Sequence, residues 1–67
     1  MNINVRFLND AGVDLPGAGF TYACQPGADL YQESASAISR ARQKAATAGR
    51  RITEIVTHPD EIKIWVA

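Results

Sequence analysis

Asp29-Leu30-Tyr31-Gln32-Glu33-Ser34-Ala35-Ser36-Ala37-Ile38-Ser39-Arg40-Ala41-Arg42-Gln43-Lys44-Ala45-Ala46-Thr47-Ala48-Gly49 is the stretch that decides the fold. It reads as one amphipathic helix with a start and a stop. Asp29 suits the N-cap, and Gln32 three residues on completes a capping-box pattern. Gly49 can take the left-handed conformation that ends a helix. Between them lie no Pro and no internal Gly. At about 100° per residue, Leu30, Ser34, Ile38, Ala41, Ala45 and Ala48 share one stripe. Most are small, so the helix is expected to lie close against a sheet with Ile38 as its main plug. Glu33, Ser36, Arg40, Gln43 and Thr47 take the wet face.

Outward from the helix, both flanks alternate. Ile3, Val5 and Phe7 interleave with Asn2, Asn4 and Arg6, the period-two mark of a half-buried strand. Turn clusters at Asn9-Asp10-Ala11-Gly12 and Leu15-Pro16-Gly17 follow. The connection from Leu8 to Ala18 is too long for a tight hairpin and is expected to project. Ala18, Phe20, Tyr22 and Cys24 then alternate with Gly19, Thr21 and Ala23. Residues 2–8 and 18–24 are therefore predicted as an antiparallel hairpin.

After Gly49, the β-branched run Ile52–Thr57 predicts a strand. Its register is open: Ile52, Glu54 and Val56 share one face and Thr53, Ile55 and Thr57 the other, unless a bulge brings both Ile52 and Ile55 inward. His58-Pro59-Asp60-Glu61 is a turn. Ile62, Ile64 and Val66 alternate with Lys63 and Trp65 in a last strand. The predicted class is α+β in the order ββαββ. Two hairpins join into one antiparallel sheet of about four strands, with the helix packed on one face. The 67 residues make a single domain. A core this thin makes dimerisation an inexpensive stabiliser, and a homodimer is one expected partner state.

Seven Lys and Arg balance seven Asp and Glu. Net neutrality argues against a protein whose main task is to coat nucleic acid, since such domains run strongly basic. The lone Cys24 excludes an internal disulfide and reads as a small buried hydrophobe. The start Met1–Arg6 has no apolar signal segment, and no run approaches the length of a membrane span. The expected compartment is the cytoplasm, with no membrane partner. No set of residues suits catalysis, a cofactor or a metal. His58 stands alone in a turn, and one His with one Cys does not make a closed zinc site. The glycines at 12, 17, 19 and 27 belong to turns rather than a phosphate loop. A non-enzyme is expected.

Two surfaces remain as candidates. Arg40, Arg42, Lys44, Arg50 and Arg51 fall within twelve residues. They read either as a solvated surface at a helix C-terminus, where cations are favoured, or as a patch for phosphate or an acidic partner. The expected topology sets Asp10 and Asp14 near Arg50 and Arg51, with Asp29, Asp60 and Glu61 at the other end. Trp65 and Lys63 should share the open sheet face with Arg6, Asn4 and Thr21. There Trp65 is a protein-binding anchor, a base-stacking platform, or a cover for the sheet or a dimer contact. The Asn9–Gly17 loop is a third contact element.

The helix segment Ser34-Ala35-Ser36-Ala37-Ile38-Ser39-Arg40-Ala41-Arg42 and the return strand Arg50-Arg51-Ile52-Thr53-Glu54-Ile55 carry a resemblance in layout and size. The chain resembles the very small phage and mobile-element proteins of the anti-CRISPR type. The resemblance implies a protein that binds a CRISPR-Cas surveillance complex or its nuclease and blocks target DNA access or recruitment. It has no diagnostic motif, so no residue role is carried over. The leading expectation is a non-enzymatic protein-binding inhibitor or adaptor. The alternatives are a nucleic-acid-binding domain using the basic helix half and a self-associating structural or regulatory component.

Overall fold

A computed structural model describes residues 1–67. The elements are β1 (Asn2–Leu8), β2 (Phe20–Ala23), α1 (Leu30–Thr47), β3 (Ile52–Thr57) and β4 (Glu61–Val66). The α+β class, the ββαββ order, the four strands and the single helix on one face are as read from the sequence. No helix is long and apolar enough to cross a membrane.

The sheet order is β2-β1-β4-β3. Both hairpins are antiparallel, but β1 and β4 pair in parallel, so the sheet is mixed rather than wholly antiparallel. Parity explains the difference. Strand β1 rises, β2 descends, α1 rises, β3 descends and β4 rises. Joining the hairpins through their first and last strands makes those two parallel. They take the centre because they carry the strongest apolar alternation. Val5 sits beside Ile62 and Phe7 beside Ile64. Ile3, Val5, Phe7, Ile62, Ile64 and Val66 are all buried and form one cluster with the helix.

The helix meets that cluster with Ala37, Ala41 and Ala45. Its buried stripe is rotated from the expected one. Ala37 is fully buried, whereas Ile38 is only half-buried on the flank. Glu33, expected to be wet, is buried with Ser34. It lies one turn before Ala37, so seating Ala37 on the sheet draws the Glu33 stem after it. Ala48, expected on the stripe, is the exposed C-cap. Small side chains let the helix centre approach the sheet, which pushes the larger Ile38 aside.

Both helix ends follow local chemistry. Asp29 caps the start by accepting from the Tyr31 backbone N–H at 2.9 Å. Gln32 makes no return bond, so only half of the expected box forms. At the other end Gly49 has φ +70°. The Arg50 N–H donates to the Ala45 carbonyl at 2.9 Å and the Gly49 N–H to Ala46 at 3.1 Å. These are the two bonds of a Schellman motif. Strand β2 starts at Phe20, later than expected. A Cβ on Gly19 would lie 2.7 Å from the Val5 carbonyl oxygen, so the chain squeezes past β1 there. The open register of β3 is settled by an irregularity between Ile52 and Glu54, a bulge that leaves both Ile52 and Ile55 packed on the core.

Two predictions test this packing. Ala41→Leu has no room and should cost about 1–3 kcal/mol. Ala45→Leu borders a cleft of about 210 Å³ and should cost less. Urea midpoints of the two variants check the order. Gly49→Ala meets no atom within 4 Å, so its penalty is conformational, about 1–2 kcal/mol for an L residue held at positive φ. The same unfolding assay reads it.

Candidate functional site

The open sheet face is built first by the loop after β1. Asn9 Oδ1 accepts from the backbone N–H of Ala11 at 2.9 Å and of Val13 at 3.0 Å. Gly12 turns the chain at φ +79°. The Leu15 N–H then donates to the Phe7 carbonyl at 2.8 Å, and Leu8 bridges Asp14. The loop therefore folds back along β1 instead of projecting throughout. This sets the Asp14 carboxylate beside Arg6, where Nε and Nη2 donate at 3.0 and 2.7 Å.

Arg6 also donates to Glu61 at 3.2 Å, and Lys63 lies 3.8 Å from the same carboxylate. Four charges thus neutralise one another. The Arg6 hydrogen bond to Asp14, above the other contributions, raises the guanidinium well above its ordinary range. The same bond holds the Asp14 carboxyl below its usual 3.8, against partial desolvation and with help from the charges of Arg6 and Lys63. Trp65 is half-buried beside Leu8, which is itself buried on this outer face. The expected group of Arg6, Lys63 and Trp65 does share one face. Its charges, however, are committed to neighbours within the chain.

The basic residues divide. Arg40 lies over the Tyr22 ring at 5.6 Å and Lys44 over Phe20 at 5.0 Å. Lys44 Nζ also donates to the Ala18 carbonyl at 2.9 Å. Both cations are therefore held on the β2 flank by aromatic faces. In the sequence these aromatics read only as strand residues; the signal for this contact is Phe20 and Tyr22 at strand spacing, with Arg40 and Lys44 one helical turn apart.

Arg42 sits about 200° round the helix from Arg40, one turn beyond Ile38, which lines the groove beside the end of β3. Arg50 joins Lys44, Phe7, Gly17, Ala18, Ala45 and Ala48 around the cleft at the helix end. A second shallow depression shares Lys44 and Ala48 and adds Arg40, Gln43 and Thr47. Arg51 enters β3 and exchanges backbone bonds with Ala67. None of these five cations has a carboxylate within 4.0 Å. The acidic neighbour expected from Asp14 is missing because Arg6 has taken it.

The structure thus gathers Arg40, Lys44 and Arg50 around two adjoining depressions, of which the one beside Arg50 is partly apolar, and neither is lined by Arg42 or Arg51. Cys24 is half-buried against the core. No protein-family model, curated protein or solved structure matches the chain.

The Arg6–Asp14 pair makes a pH prediction. Asp14 has a depressed folded pKa, so its contribution to stability is present above the unfolded value of 3.8. It is lost as pH falls through the lower folded value. Asp14→Asn should flatten the decline in melting temperature as pH falls below the ordinary carboxyl value of 3.8. Equal slopes in both proteins would count against the pairing.

Proposed function

We propose that the chain is a small non-enzymatic protein-binding inhibitor or adaptor. It docks an acidic surface of its partner on Arg40, Lys44 and Arg50. The observation that carries this reading is the uncompensated charge around a partly apolar cleft, in a molecule with no net charge. Cations already held over aromatic rings lose less freedom on binding, which favours a defined contact over diffuse attraction. Extending the resemblance in layout, the partner is a CRISPR-Cas surveillance complex or its nuclease, and the consequence is blocked DNA access or recruitment.

The same cations support a second reading, direct nucleic-acid binding. An affinity pull-down from host lysate, with and without nuclease, separates the two. A stoichiometric protein partner that survives nuclease, and is lost with the double variant Arg40→Glu/Arg50→Glu, supports the inhibitor or adaptor. For the CRISPR version, a purified complex preincubated with the chain should lose target DNA binding or nuclease recruitment. A partner set that vanishes with nuclease supports the second reading. Affinity for nucleic acid should then fall steeply with salt, and removing Arg50 and Arg51 together should flatten that slope.

A further inference from the structure

Strand β3 is an edge strand, paired only with β4. The hairpin turn sets the direction of its unused backbone groups. His58 and Glu61 exchange both backbone hydrogen bonds, at 2.7 and 3.4 Å. Bonded and non-bonded pairs alternate along an antiparallel ladder. Thr57 opposite Ile62 and Ile55 opposite Ile64 are therefore non-bonded pairs, with Val56 bonded to Lys63 between them. The N–H and C=O groups of Ile55 and Thr57 consequently point out of the sheet edge. No turn, loop or cap bond engages them.

This edge is weakly defended. It holds no Pro or Lys, and its one charge is Glu54. The bulge between Ile52 and Glu54 blunts only its beginning. The opposite edge, β2, is four residues long, and Lys44 already takes the carbonyl of Ala18 just before it.

We infer that the β3 edge takes a second copy of this chain, antiparallel, about a two-fold axis through Val56. In this register Ile55 of each copy faces Thr57 of the other. Each of those pairs exchanges two hydrogen bonds, so the outward groups of both residues are used in both copies. Helix-face residues meet helix-face residues, as the pleat requires. On the outer face Val56 meets its own copy, and Glu54 meets the second copy's His58, a carboxylate against an imidazole N–H. Arg51 runs toward the second copy's Asp60. Neighbouring registers are worse. An axis at Glu54 opposes two carboxylates, and an axis at Ile55 sets the bulged Thr53 against Thr57.

The helix side adds apolar contact. A groove of about 460 Å³ runs between the helix flank and the end of β3, lined by Leu30, Tyr31, Ile38, Thr57 and Pro59 among others. Tyr31 is 81% exposed. The second copy's Ile55, opposite Thr57, lies at the mouth of this groove. A standard interface takes about 800 Å² from each partner, a large share of the 4349 Å² surface here. A six-residue strand does not cover that much, so this dimer dissociates on dilution. The contact does not use the cleft of Arg40, Lys44 and Arg50.

Sedimentation velocity on the full chain, from low micromolar to millimolar, tests the inference. A monomer that becomes a dimer and grows no further is the expected result. Val56→Glu meets Lys63 within its own chain, so the fold should persist. Across the axis it opposes a second carboxylate, so the protein should stay monomeric. In a Cys24→Ser background, Val56→Cys should oxidise to a linked dimer at least about tenfold faster than Thr53→Cys, since disulfide geometry is narrow. A wild-type chain that is monomeric throughout would overturn the inference. So would growth beyond the dimer, a Val56→Glu variant that still dimerises, or equal linking at the two positions.

Discussion

Neither hairpin of this chain is stable alone, because two strands bury too little apolar surface. The parallel pairing of β1 with β4 removes that problem. It places Val5 beside Ile62 and Phe7 beside Ile64, and so makes one continuous apolar floor from residues far apart in sequence. Every other feature hangs from this floor. The helix needs it as a base, and β2 and β3 become edges because β1 and β4 occupy the centre. The candidate surfaces are accordingly properties of the edges and of the helix flanks beside them.

Alanine sets how the helix sits on that floor. Ala37 and Ala41 are fully buried, so the helix axis comes close and the flanking residues are drawn toward the sheet. On one side Arg40 and Lys44 reach the rings of Tyr22 and Phe20. On the other, Ile38 and Tyr31 stop short of closing over β3 and leave a groove. A helix faced with leucine would ride higher and separate both sets of contacts. The same small residues thus account for the thin core, the anchored cations and the open edge.

The legible parts of the fold were those with local causes. Strand alternation, the Asp29 cap and the Gly49 stop all depend on neighbours within a few residues, whereas the register of β3 was open until β4 fixed the bulge between Ile52 and Glu54. Strand order is different in kind. Nothing local to β1 states that its second partner is β4, so the parallel pair emerged only from the assembled sheet. The exchange of Ile38 for Ala37 as the deepest helix residue depends on how closely the helix docks, which a wheel does not contain. At the candidate site, the cluster from Arg40 to Arg51 was visible as composition. Its division was not, since Arg40 and Arg42 leave the helix on opposite flanks. The capture of Asp14 by Arg6 was hidden because it requires Asn9 and Gly12 to fold the loop back first.

That capture changes what neutrality means here. Arg6, Lys63, Asp14 and Glu61 satisfy one another on the outer face. Five cations and five acids remain of the seven of each sign. The five cations all fall between Arg40 and Arg51; of the five acids, Asp29 and Glu33 sit at the helix start and Asp60 at the β3–β4 turn, with Glu54 within β3 and only Asp10, in the loop after β1, toward the basic end. The chain is therefore neutral in sum and polarised along its helix. The arrangement opposes the helix dipole at both ends and so favours the fold. It also gives the molecule a direction in an external field. An acidic partner of the kind proposed would be attracted to the Arg40–Arg51 end and repelled from the Asp29–Asp60 end, which would orient the encounter without the non-specific adhesion of a net positive protein.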